Sequence, residues 1–382
     1  MAKKAGPPVP QKEEATLKIK AAVVREAGKL EVEELELGKP RWGEVLVKLL
    51  ASGICHTDAS ALNMQVPGKY PMVLGHEGVG IVEEIGPGVE SLLPGDRVIL
   101  SFPSCGRCEE CLEGRPYACD KSTELFFHGV YADGDRRITD AKGEKVGALF
   151  GQGSLADHCI VAERNAVKAD PEVELKALCS LACGAQTGAG AVLNKMKPSP
   201  GDAIAVFGCG AVGISAIMAA KLSGCGTIIG VDVVPSRLEL SLECGATHVI
   251  HGRDCPDIAG EIRRLTGGKG VRFALEASGV PALVPQMLAG MRKEGLAVLV
   301  SFLSGPVELD ATMLFVGPCV SFAGTVEGAS NPQLFIPKLV QFFKEGRLPV
   351  DRLATYYPFA EVRRAFEESR TGKAIKPIVV FD

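Results

Sequence analysis

Ala203-Ile204-Ala205-Val206-Phe207-Gly208-Cys209-Gly210-Ala211-Val212-Gly213 decides the fold of this chain. The apolar run reads as a buried strand, the glycines follow as Gly-x-Gly-x-x-Gly, and AVGISAIMAAKLSG continues as a helix. A strand, a glycine turn and a helix in that order form a phosphate-binding turn for a dinucleotide. Gly208 permits the tight turn, Gly210 lets a pyrophosphate approach the backbone, and Gly213 lets helix and strand pack closely. The helix N-terminus offers unpaired N–H groups and a positive partial charge to the phosphates. The next strand, TIIGVDVV, carries Asp232, an acid placed to accept hydrogen bonds from the adenosine ribose and to repel a 2′-phosphate. That favours NAD over NADP. Arg237 follows on the next helix, either as a solvated charge or as a neighbour of the ribose. The competing reading is a glycine turn in a sheet protein that binds no nucleotide.

Outward from this turn the pattern persists. RLELSLECG reads as a helix, THVIHG as a strand and DIAGEIRRLTGG as a helix, and FALEAS, LAVLVSF and CVSFAGT continue the strands. Continuous apolar strands alternating with helices mean a parallel sheet covered on both faces. After about Thr325 come two helices, PQLFIPKLVQFFKEG and AEVRRAFEESRTG, and a last strand, IKPIVVF. Before the turn, from Lys18 to about Val167, the texture is all-β and rich in turns, with KAAVV, EVLVKLLASGIC, GVGIVEEIG and DRVIL as strands.

Within that first part, Cys105, Cys108, Cys111 and Cys119 form C-x2-C-x2-C-x7-C. Four thiolates at such spacing close a tetrahedral Zn2+ with no position left for water, which makes a structural site. Two disulfides are the alternative. Met1 to Lys20 is charged and proline-bearing without an apolar core, so no secretory signal is read, and a cytoplasmic chain rarely keeps disulfides. Residues 1–16 read as a poorly ordered polar tail. A length of 382 residues with 46% hydrophobic content suits two cores. A net charge of -4 with interspersed signs argues against nucleic acid or an anionic membrane as the main partner. No apolar run approaches the roughly 20 residues that span a bilayer.

Three further stretches complete the pattern: Gly53-Ile54-Cys55-His56-Thr57-Asp58, Gly75-His76-Glu77-Gly78-Val79-Gly80 with Gly86 and Gly95-Asp96-Arg97-Val98, and Ala182-Cys183-Gly184-Ala185-Gln186-Thr187. Singly, each Cys or His reads as a packing residue. In this order, with the cysteine lobe and the fingerprint, they resemble the zinc-dependent medium-chain alcohol dehydrogenases from about Lys18 to Asp382. The resemblance implies an α/β chain, a Rossmann coenzyme domain (185–326) inserted in an irregular, mainly-β, GroES-like catalytic domain (1–184 and 327–382). It implies two zinc ions per chain. Cys55, His76 and Cys183 would hold the catalytic ion, Glu77 would lie close behind it, and Asp58 would orient His76.

The implied reaction is hydride transfer to NAD from a primary alcohol activated at the open zinc position, giving its aldehyde. Thr57 would take the alcohol's proton into a relay. Ser60 stands where the family often has a histidine, which leaves ribose hydroxyls and water as the exit. His56 and Lys376 fall at phosphate-contact positions, and Thr187, Val300 and Phe302 at nicotinamide contacts. The run from Cys183 to Asn194 resembles the aryl alcohol branch, which implies aromatic primary alcohols and aldehydes as substrates. Ser101, Phe150 and Phe302 are the expected pocket walls, the serine widening the cavity. Glutathione-dependent formaldehyde dehydrogenases carry an arginine where this chain has Thr123. An NADPH-dependent reductase of a specialised carbonyl and a nonenzymatic relative are the other readings. A homodimer is expected. Cys159, Cys179, Cys209, Cys225, Cys244, Cys255 and Cys319 read as buried packing residues, with alkylation of Cys209 expected to block the cofactor. His128, His158, His248 and His251 match no functional position.

Overall fold

The computed structural model describes residues 16–381; most of the expected N-terminal tail lies outside them. The fingerprint strand, Ala203–Phe207, sits inside a six-stranded parallel sheet. On one side of it lie Thr227–Asp232 and His248–His251, and on the other Val271–Glu276, Met291–Leu299 and Ser321–Gly324. The strand order reverses between Ala203–Phe207 and Val271–Glu276, so a crevice opens at the carboxyl ends of these two strands. The alternation along the central strand shows why it is apolar throughout. Ile204 and Val206 face one core, with Ile217 and Met218 of the Ala211–Leu222 helix, while Ala205 and Phe207 face the other, with Ile258, Ile262 and Met287. Both faces are buried, as a parallel sheet requires.

The rest of the chain builds two antiparallel-rich assemblies. Leu17–Glu26, Lys29–Leu37, Ile138–Thr139, Lys145–Ala148 and Met72–Val73 close a small barrel. A seven-stranded sheet contains Glu44–Gly53, Glu77–Ile85, Arg97–Leu100 and, far along the chain, Ala354–Pro358 and Lys376–Val380. The last strand lies antiparallel to Glu44–Gly53, pairing Ile378 with Gly53 and Val380 with Ala51. The chain therefore leaves the first sheet, builds the parallel one, and returns.

Two local expectations are corrected. The all-β reading of the first part missed short helices at His56–Leu62 and Ser122–Phe127. Each is too short for a helical period to stand out. A helix at Leu283–Ala289, between two strands of the parallel sheet, was not read from the sequence. Pro285 falls in its first turn, where a missing N–H costs no hydrogen bond.

Gly208 has φ +90°, a left-handed conformation suited to glycine, and a Cβ at Gly213 would collide with the Gly208 carbonyl. Gly213→Ala is therefore expected to lower stability by about 1–3 kcal/mol through overpacking, and to weaken dinucleotide binding as the helix moves off the turn. Thermal unfolding with and without NADH measures both, and a wild-type melting point in each condition would show that the close approach is not required.

Candidate active site and metal centres

Three remote segments meet below the crevice. Cys55 precedes the His56–Leu62 helix, His76 ends the turn before the Glu77–Ile85 strand, and Cys183 joins the Leu175–Ala182 and Gly184–Gly190 helices. Donor atoms of Cys55, His76, Glu77 and Cys183 all lie within 4.8 Å of one another. Asp58 sets this arrangement. Its Oδ2 accepts the Cys55 N–H at 2.9 Å, and its Oδ1 accepts the Gly75 N–H at 2.9 Å and faces His76 Nδ1 at 3.2 Å. Nδ1 thereby carries the proton, and Nε2 is left buried without a protein partner. A buried orphan nitrogen facing two thiols costs about 1–3 kcal/mol unless something accepts its lone pair. A zinc ion fits that donor set. The Cys55 thiol is held well below its ordinary pKa, first by the hydrogen bond from Cys183 and, against burial, by His76 and Lys376.

Glu77 is fully buried and both its oxygens lie 2.8 Å from Lys376 Nζ. Nζ also donates to the Ile54 carbonyl at 3.2 Å. Burial works against the ammonium, but Glu77 and Cys55 outweigh it, so Lys376 stays charged. The expected phosphate contact by Lys376 gives way here to a carboxylate contact. Its side chain lines the crevice, while its protons are committed to Glu77 and Ile54.

The cysteine lobe is a second donor set. Sulfurs of Cys105 and Cys111, and of Cys108 and Cys119, are each 4.0 Å apart. Sulfurs on a tetrahedral zinc at 2.3 Å stand about 3.8 Å apart, so the lobe also fits an ion. Burial opposes the Cys105 anion, but the N–H groups of Arg107 and Cys108 more than offset it and bring the thiol down to about 6. All thirteen cysteines are free, so the two-disulfide alternative is not realised.

A cavity of about 880 Å³ runs from the fingerprint to Cys55 and Cys183. At its far end Asp232 accepts the N–H groups of Cys209, Val233 and Val234 at 2.7, 2.7 and 2.9 Å. Arg237 Nη1 is 3.9 Å from Asp232, which places Arg237 on the cavity wall beside that acid and half-buried. Gly208, Gly210 and Gly213 line the middle of the cavity, and His56, Thr57, Ser60 and Thr187 the end nearest the metal set. Thr57 Oγ1 is 3.9 Å from Cys55 Sγ. Val300 also lines the cavity, and Phe302, 71% exposed, stands at its rim.

Several expectations change. Ser101 does not widen the cavity: it is fully buried, donates to the Ala182 carbonyl at 3.2 Å and accepts from Gln186. The aromatic wall is made by Phe126, Phe127 and Phe150. Phe150 stacks on His76 with ring centroids 4.6 Å apart, and Phe126 stacks on Phe150 at 4.3 Å. The Leu-Phe-Phe run after the lobe was the missed signal. Cys209 is wholly buried with its thiol toward the Val231 carbonyl, and burial pushes it up to about 12, so the expected alkylation sensitivity is withdrawn. Cys319 is exposed, and Cys225 and Cys255 are half-buried. Glu327, which sequence reading passed over, lines the cavity and is buried beside Gln186 and Thr187; burial pushes its carboxyl up to about 7.

Comparison with known proteins matches residues 41–171 to the alcohol dehydrogenase GroES-like domain and residues 211–345 to the zinc-binding dehydrogenase family. A geraniol dehydrogenase of Castellaniella defragrans is 37% identical over 364 residues, covering 94% of this chain and 97% of that protein. An alcohol dehydrogenase zinc-binding domain protein from Burkholderia ambifaria superposes with a TM-score of 0.92 at 42% identity, covering 96% of this chain and 100% of its own. Benzyl alcohol dehydrogenase from Acinetobacter calcoaceticus does so with a TM-score of 0.91 at 38% identity, with the same coverage.

Because Asp58 holds both the Cys55 backbone and the His76 ring, Asp58→Ala is expected to weaken metal retention at this set by about 10–100-fold while leaving the cysteine lobe loaded. Chelator competition followed by metal analysis reads this, and equal loss from both sets would refute it.

Proposed function

The chain belongs to the zinc-dependent medium-chain alcohol dehydrogenases, and on that premise we propose that it interconverts a primary aromatic alcohol and its aldehyde, with NAD as hydride carrier and two zinc ions per chain. One observation carries the reading: a single cavity joins Asp232 and the glycine turn to Cys55, His76 and Cys183, and its wall beside His76 is Phe126, Phe127 and Phe150. Stacked and edge-on rings offer an aromatic substrate favourable contacts of about 0.5–1.5 kcal/mol per ring pair. Relatives named for geraniol and for benzyl alcohol both act on alcohols with an apolar, unsaturated body.

When bound, zinc supplies a Lewis acid that acidifies the alcohol, and the nicotinamide supplies the hydride acceptor. Cys55, His76 and Cys183 would hold the ion. Asp58 and the Phe150 ring fix His76 from its edge and its face. Thr57 takes the alcohol's proton at its hydroxyl, and Ser60, one turn on and also on the cavity wall, passes it toward water. A hydroxyl relays a proton but does not store one, so a general-base contribution of about 10²–10⁴-fold is missing here. His56 and Arg237 stand at the phosphate and ribose positions, Arg237 beside Asp232, and Asp232 repels a 2′-phosphate.

The reading extends to organisation. Residues 1–184 and 327–382 form the catalytic domain and 185–326 the coenzyme domain. The pairing of Lys376–Val380 with Glu44–Gly53 supports the return after 326. The strand Ser321–Gly324 stands at the edge of the parallel sheet, and Met313 and Val316, a few residues before it in sequence, are exposed, which suits a homodimer built across this edge. The unpaired thiols suit the reducing cytoplasm.

Formation of reduced cofactor at 340 nm tests the chemistry, with NAD+ or NADP+ against benzyl alcohol, cinnamyl alcohol, geraniol, ethanol and hydroxymethylglutathione. Turnover of the aryl alcohols with NAD+, abolished by Cys55→Ala and by chelation, is the expected result. Silence on every alcohol while NADH still binds would move the chemistry to a specialised carbonyl. Light scattering that returns a monomer or tetramer would remove the dimer.

A further inference from the structure

With the adenosine end at Asp232 and the phosphates at the glycine turn, the nicotinamide is left the wall of Thr187, Val300 and Thr325 beside Cys183. At that wall stands a carboxylate that the reaction does not use. Glu327 is 6% exposed, and its Oε2 accepts from Gln186 Nε2 at 3.2 Å and from Thr187 Oγ1 at 3.5 Å. Gln186 Nε2 also reaches Ser101 Oγ at 3.2 Å, and Ser101 donates to the carbonyl of Ala182, the residue before Cys183. A line of polar contacts thus binds Glu327 to both ends of the turn that carries Cys183 and Thr187.

The backbone under Glu327 is strained. Glu327, Gly328 and Ala329 have φ of 48°, 64° and 48° in succession, and a non-glycine residue there costs about 1–3 kcal/mol. The turn is held nonetheless. Asn194 donates to the Gly328 carbonyl at 3.0 Å, Ser330 Oγ donates to the Glu327 carbonyl at 2.6 Å, and a Cβ on Gly190 would collide with Gly328. Among the described residues no Lys or Arg pairs with this buried carboxylate. Backbone strain and an unpaired buried acid, at one residue beside the reacting centre, are what a functional constraint leaves behind.

We propose that Glu327 is a positioning residue for the cofactor: it holds the Thr187 hydroxyl, and with Gln186 the first turn of the Gly184–Gly190 helix, so that the Thr187 methyl faces the nicotinamide ring. This rests on the cofactor reading above. NADH fluorescence titration of the zinc-loaded protein tests it without turnover. Glu327→Ala should weaken NADH binding about tenfold, as loss of one buried hydrogen bond does, with zinc content unchanged. Glu327→Gln keeps an acceptor oxygen and should stay near wild type. Thr187→Val keeps the methyl and loses the hydroxyl; it should match Glu327→Ala, and the double variant should be no worse than either. Should Glu327→Ala not fold, Thr187→Val and Glu327→Gln decide alone. Wild-type affinity in Thr187→Val, additive losses in the double variant, or zinc loss on changing Glu327 would each overturn the proposal. An unmutated protein that binds no NADH would instead overturn the cofactor reading itself.

Discussion

The ion pair between Glu77 and Lys376 constrains more of this molecule than any other single contact. Taking both charges out of water costs several kcal/mol for each ion, recovered only when the geometry is close and the remaining hydrogen-bonding positions are filled. Here they are: Lys376 Nζ meets both Glu77 oxygens and the Ile54 carbonyl, and Gly184 N–H donates to Glu77 Oε1 at 3.3 Å. Gly53 lacks a Cβ where one would strike Glu77. Three chain segments that carry or flank metal-binding residues are thus drawn to one buried carboxylate. The final strand must return to the first sheet, because without Lys376 the carboxylate beside His76 would be buried and uncompensated.

That return places the crevice. The parallel sheet is held between an outgoing segment near Cys183 and a returning segment near Lys376, so the carboxyl ends of its central strands face the Cys55–His76–Cys183 set. Asp232 and the glycine turn lie along the same crevice. A dinucleotide is long enough to need both ends, and the topology supplies both in one line.

Legibility in the sequence followed locality. The fingerprint was readable because every part of it is contiguous: strand, glycines, helix and the acid on the next strand. The cysteine lobe was readable for the same reason. Cys55, His76 and Cys183 are brought together by tertiary structure, and no spacing rule joins them; only resemblance to a family proposed them. Side-chain direction was the least legible property. Ser101 turned into the protein to bond Ala182, Cys209 turned into the sheet, and Lys376 turned to Glu77, each because a partner distant in sequence waits there. Phe126 and Phe127 sit on a helix too short to show a period, and Glu327 reads as an ordinary loop acid until Gln186 and Thr187 are seen against it.

One short element links the metal set to the cofactor wall. Cys183 caps the Gly184–Gly190 helix, and the Thr187 N–H donates to the Cys183 carbonyl at 2.7 Å. Four residues of helix rise about 6 Å, so Cys183 of the donor set and Thr187 on the cavity wall are separated by one turn of hydrogen-bonded backbone. The helix is also pinned from outside. A Cβ on Gly188 would strike the Val212 carbonyl in the fingerprint helix, and one on Gly190 would strike Gly328. Substituting either glycine would push this turn away from the cofactor helix or from the Glu327 loop. The spacing between the donor set and the Thr187 wall therefore depends on the close approach of these backbones as much as on the side chains that line the cavity. Near-attack geometry of roughly 3–3.5 Å tolerates little such displacement.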